Sequence, residues 1–181
     1  MANLVKSKRI GIIASISVCI LAFLAYSFNG RNNENKQFYY WSPELELSKS
    51  DFMRTEPMFK LNSYSAEIVM RYSYEKDHSG KYKVTPVVDR YKSFMRTGHY
   101  SEEILSHEKY HANICSYIAN KMNKILIDTI FNSEREFFNF LDYYKVKTRE
   151  LFDKYDMETN HGRNLEMQKY WEHKIDSLLM N

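Results

Sequence analysis

Apolar residues recur at steps of three and four from Glu102 to Ile130. Ile104, Leu105, Ile114, Cys115, Ile118, Met122, Ile125 and Leu126 fall into that rhythm, which predicts a long amphipathic helix. Ser101 followed by Glu102 and Glu103 reads as its start. Ser133-x-x-Glu136 is a capping box that opens a second helix reaching about Tyr155. A last helix begins near Asn160 or Asn164 and runs to Leu179, with Leu165, Gln168, Trp171 and Ile175 on one side. Upstream the period changes from 3.6 to 2. Between Ser63 and Glu75 the residues Ala66, Ile68, Met70, Tyr72 and Tyr74 alternate onto one face, which predicts a strand. Asp77-His78-Ser79-Gly80 is a turn, and Tyr82 to Phe94 returns as a second strand. Pro86 places that strand at an edge or a bulge, because proline cannot donate to a ladder. Thr97-Gly98 breaks the pattern before the first helix. The fold class predicted is α+β: a small antiparallel sheet packed on three helices.

The N-terminus is different in kind. Lys6, Lys8 and Arg9 precede an uncharged run from Ile10 to Phe28, long enough for the ~20 residues that cross a bilayer. The basic flank predicts residues 1–9 on the cytoplasmic side, a transmembrane anchor over 10–28 and a polar spacer over 29–37. The alternative is a signal peptide, removed after export. Either arrangement puts residues 38–181 outside the cytoplasm. Cys19 falls in the apolar run, so Cys115 stands alone in the exported part and no disulfide can form within it. Such a domain relies on its core or on a metal. The 15 Tyr and 11 Phe supply the core. The net charge of +3 comes from scattered Lys and Arg, a pattern that does not point to nucleic acid.

His107-Glu108-Lys109-Tyr110-His111 lies within the first predicted helix, and it is an H-E-x-x-H match. Residues four apart stack on one helix face, so two imidazoles can hold one metal ion, with Glu108 beside them as a general base. His107 and His111 fall in register between Ile104 and Ile114, which predicts that both point inward. A lone inward His is usually a hydrogen-bonded core residue. A spaced pair around a Glu points instead to Zn2+. Catalytic zinc takes a third protein ligand. The H-x-x-G-x-x-H extension is excluded, because Ile114 and Tyr117 stand at its positions. Glu134 and Glu136 lie on the second helix, where capping is their ordinary role. The cluster from Tyr155 to Gly162 holds Asp156, Glu158 and His161; there His161 can ligate, with Asp156 on its second nitrogen.

His107 to His111, the block Tyr155-Asp156-x-Glu158-Thr159-x-His161-Gly162 and Gln168-x-x-Trp171 together resemble a bacterial family of predicted secreted zinc-dependent proteases. The resemblance extends over about residues 41 to 180 and includes Leu47 to Phe52. The chain departs from the family pattern at Arg54, where Gly is expected, and at Phe94, where Trp is expected. The resemblance implies His107, His111 and His161 as zinc ligands, Glu108 as catalytic base and a zincin-like layout. The sequence expectation is therefore a membrane-anchored, periplasm-facing zinc metallohydrolase acting on a peptide or protein substrate. A non-catalytic envelope protein with a structural zinc, or with no metal, is the rival reading.

Overall fold

The computed structural model describes residues 36–58 and 64–180. Contacts divide the chain after Lys36, and the unit from Gln37 onward carries every element below. The architecture is α+β. A three-stranded antiparallel sheet is built from β1 (Phe38–Tyr40), β3 (Met70–Lys76) and β4 (Tyr82–Asp89) in the order β1-β4-β3. A separate pair joins β2 (Ala66–Glu67) to β5 (Phe94–Met95), also antiparallel. Three helices follow: α1 (Glu102–Leu126), α2 (Glu134–Thr159) and α3 (Leu165–Met180). The predicted anchor over 10–28 lies outside the described residues; among those described, no helix is long and apolar enough to cross a membrane. Gln37, placed in the spacer by the sequence reading, belongs to the fold. Its carbonyl accepts from Arg90 N and its side chain donates to Asp89.

Two departures from the sequence expectation have physical causes. Each expected strand is split in two. The break between β2 and β3 falls at Ile68 and Val69, whose N–H groups donate to side chains, Glu108 Oε2 at 2.7 Å and Ser93 Oγ at 2.9 Å. Pro86 sits in the central strand, not at an edge or bulge. It is tolerated because β1 pairs only as far as Val87, leaving that side of β4 locally open. Within an antiparallel strand a residue's N–H and C=O face the same side. The Pro86 carbonyl accepts from Trp41 N on the β1 side, so its missing donor faces no ladder.

Past Pro86, the backbone of Val84 would face the same gap. Asn123 on α1 fills it: Oδ1 accepts from Val84 N and Nδ2 donates to Val84 O, both at 2.8 Å. A side-chain amide thus stands in for a neighbouring strand and closes the sheet edge. Asn123→Ala should destabilise the domain by about 1–3 kcal/mol, since it leaves buried backbone groups unpaired. Chemical denaturation of the purified protein measures this; a change under ~0.5 kcal/mol, the range of ordinary surface substitutions, would contradict it.

Helix α1 is the axis of the core. Leu105 and Ala112 pack in one apolar cluster with Tyr39, Trp41, Ile68 and Val88. Ile118, Ala119, Met122 and Leu126 pack in a second with Val84, Phe137 and Leu141. Ile114 meets Tyr155, Trp171 and Ile175 in a third. A helix covered on several sides buries polar residues too, and these must find partners. Asn113 accepts from Trp41 Nε1 at 3.1 Å, and Glu108 accepts from Ile68 N. The buried His107 and His111 turn their Nε2 atoms to Asp156 on α2, and His107 Nδ1 meets Gln168 on α3.

Candidate metal centre

Ser101 caps α1 by accepting from Ile104 N, which sets the phase that turns His107, Glu108 and His111 inward. All three are buried, which the register predicted for the two histidines. Ser133 caps α2, while Glu136 reaches back to Asn132 N. Helix α2 runs one turn beyond the expected Tyr155, so Asp156 is helical and faces α1. The chain then reverses through left-handed residues: Asn160 at φ 49°, His161 at 54° and Gly162 at 79°. Asn164 caps α3, its Oδ1 accepting from Met167 N.

The reversal needs glycine at position 162. A Cβ there would lie 3.1 Å from Cβ and Cγ of His107. On another side the His107 ring stacks on Tyr155, with centroids 4.7 Å apart and planes at 15°. His111 is held edge-on by Phe152 at 4.6 Å and Tyr155 at 4.9 Å.

Three donor atoms converge. Asp156 Oδ1 lies 3.0 Å from His107 Nε2 and 2.9 Å from His111 Nε2, and the two nitrogens are 3.3 Å apart. Donors held ~2.0–2.1 Å from one tetrahedral zinc are separated by roughly 3.3 Å, so the triangle has the dimensions of a ligand set. Its protonation points the same way. Gln168 Nε2 faces the Glu172 carboxylate at 3.1 Å, which only a donor satisfies. Gln168 Oε1 therefore faces His107 Nδ1, at 3.1 Å, and makes that nitrogen the N–H. His107 Nε2 is then a lone pair aimed at a carboxylate oxygen. Such a contact is relieved by a cation between the two atoms, by a second proton on the imidazole, or by a His111 Nε2–H shared between Asp156 Oδ1 at 2.9 Å and His107 Nε2 at 3.3 Å. The residues present fit a zinc ion.

The proton alternative shows in the electrostatics. Burial works against a charged His107, but its hydrogen bond to Asp156 and the nearby Glu108 charge outweigh it and raise its pKa. Burial likewise opposes ionised Asp156, yet the hydrogen bonds from His107 and His111 hold its carboxyl well below the usual range. The raised His107 value means its stabilising contribution is full below ~6.5 and lost as pH rises through the folded value. The lowered Asp156 value means its contribution is present above ~3.9 and lost as pH falls through the folded value. Metal-stripped protein should thus be most stable between roughly pH 4 and 6.5. Zinc needs neutral imidazoles, so the Tm gained on adding zinc should grow as pH rises past that window. Melts with zinc and with chelator from pH 4 to 9 test this; a zinc increment that shrinks with pH contradicts it.

His161, expected from the family resemblance as the third ligand, stands beside the triangle. Its Nδ1 is 3.7 Å from Asp156 Oδ1, and it is not among the three residues whose donors all lie within 4.8 Å of one another. Asp156, expected to support His161, occupies the third donor position instead. The other candidates are engaged elsewhere: Glu158 accepts from Trp171 Nε1 at 2.8 Å, and Glu134 is in the first turn of α2. Glu108, predicted beside the pair, lies in the wall of the same open cleft, of about 550 Å³, as the donor triangle. Residues from Tyr64 to Met70 line the cleft as well. No family model, curated protein or solved structure matches this chain.

Proposed function

We propose that residues 37–180 form a zinc-dependent peptidase domain of zincin-like layout. The supporting observation is the His107–His111–Asp156 triangle, its two imidazoles buried and its carboxylate partly exposed, opening on a cleft that Glu108 also lines. His107, His111 and Asp156 would hold the metal. When bound, zinc supplies a Lewis acid that lowers the pKa of water and stabilises negative charge on a carbonyl oxygen. Glu108 is the general base. Ile68 N–H fixes its Oε2, leaving the other oxygen to accept a proton from water and return it to the leaving amine. Gln168 and Tyr155 keep His107 in the tautomer and orientation that binding requires. The segment from Tyr64 to Met70 is the side along which an extended peptide would lie. In keeping with its resemblance to the secreted zinc protease family, the domain works on the periplasmic side, with the run over 10–28 as its anchor or signal segment.

Elemental analysis of the purified protein, together with hydrolysis of a quenched-fluorescence peptide pool, tests this reading. One zinc per chain and chelator-sensitive cleavage are expected. Zinc without cleavage would favour a structural metal, and a stoichiometry near zero in metal-replete buffer would remove the reading altogether.

A further inference from the structure

The cleft holds a further imidazole, that of His161, and its setting is unusual. The backbone at His161 is left-handed, which costs a non-glycine residue about 1–2 kcal/mol. Its side chain is 40% exposed, so burial does not offset that cost. Tyr64, which also lines the cleft, packs on the ring with centroids 4.6 Å apart and planes at 40°. At 3.7 Å from Asp156 Oδ1 the ring makes no hydrogen bond there, and it stands outside the donor triangle. The result is a braced imidazole with unspent donor capacity, beside a candidate metal centre and open to the cleft. Neither the triangle nor Glu108 offers a hydrogen-bond donor to substrate. A donor would share with zinc the negative charge that the carbonyl oxygen gains as water adds.

We infer that His161 is a catalytic residue that donates a hydrogen bond to the scissile carbonyl oxygen as it becomes an oxyanion, and that Tyr64 is the positioning residue that holds it in place. The inference rests on the peptidase reading above. The proton stays on His161, while Glu108 carries the proton that moves from water to the leaving amine.

The test uses the full chain, zinc-loaded, with His161→Gly, His161→Asn and Tyr64→Ala. Glycine removes the ring and relieves the backbone, so loss of activity cannot be blamed on misfolding. Asparagine suits the left-handed turn and keeps a donor. Readouts are zinc affinity by chelator competition, the absorption spectrum of the cobalt form, kcat and KM on the peptide pool, and affinity for a phosphinic peptide that mimics the tetrahedral oxyanion. For His161→Gly, kcat should fall by ~10²–10³ with KM little changed, and the phosphinic peptide should weaken in parallel. Zinc affinity and the cobalt spectrum should hold. His161→Asn should recover part of the loss, and Tyr64→Ala should fall between. If His161→Gly loses zinc by more than ~10-fold, the loss expected when metal support is removed, His161 is a ligand and the inference is overturned. It is equally overturned by wild-type kcat in His161→Gly. A wild-type protein that binds no zinc or cleaves nothing overturns the peptidase reading and takes this inference with it, whereas an unaffected His161→Gly beside an active wild type overturns this inference alone.

Discussion

Asp156→Ala should strip the protein of zinc while leaving its fold in place. Asp156 brings the only negative charge to the donor triangle, and its Oδ1 lies about 3 Å from both imidazole nitrogens (2.9 and 3.0 Å). Loss of an outer partner that merely orients a ligand weakens metal binding ~10–100-fold, so loss of the charged donor itself should exceed ~100-fold. The fold should survive because Asp156 is partly exposed and α2 stays anchored by Phe137, Leu141 and Tyr155. Zinc competition with a chromophoric chelator, alongside circular dichroism, measures both halves of the claim. Undiminished affinity would mean that another group, with His161 nearest, completes the site.

Glu108→Gln should have the opposite signature: zinc kept, hydrolysis lost. The amide has the shape of the carboxylate, and its oxygen can still accept from Ile68 N–H. It cannot take up a proton. General-base catalysis contributes ~10²–10⁴ in rate, and kcat should fall by that factor. A variant that loses its metal would show Glu108 to be a ligand, and one that keeps full kcat would show that water is activated elsewhere.

Most of this fold is legible in the chain because it is written in local periodicity. The spacing from Ile104 to Leu126 sets the phase of α1, and that phase buries His107 and His111. Ser101, Ser133 and Asn164 mark helix starts through local hydrogen bonds. Asp156 is harder to read. With the second helix ended at Tyr155, Asp156 becomes a loop residue serving His161. Extending the helix through Leu141, Thr148, Phe152 and Thr159 puts Asp156 on the inward stripe, and an inward carboxylate requires a partner. That stripe was the available signal. The split of the strands was not available, because Ile68 and Val69 leave the ladder for Glu108, 40 residues away, and Ser93, 24 away. The accommodation of Pro86 likewise depends on where β1 stops, which no spacing around Pro86 encodes.

The placement of the donors within the α1–α2 hairpin has a consequence for chain connectivity. His107 and His111 lie near the start of α1 and Asp156 near the end of α2, so the connection over residues 127–133 is roughly 25–30 Å away along the helices. That connection carries no site residue. A chain opened there would divide the donor set between two fragments, imidazoles on one and carboxylate on the other. Reassociation of the two pieces should then depend on zinc concentration, turning the candidate metal site into the clasp of a split protein. Fragment association measured by size exclusion at graded zinc would show it, and zinc-independent pairing would show that the three apolar clusters suffice without it.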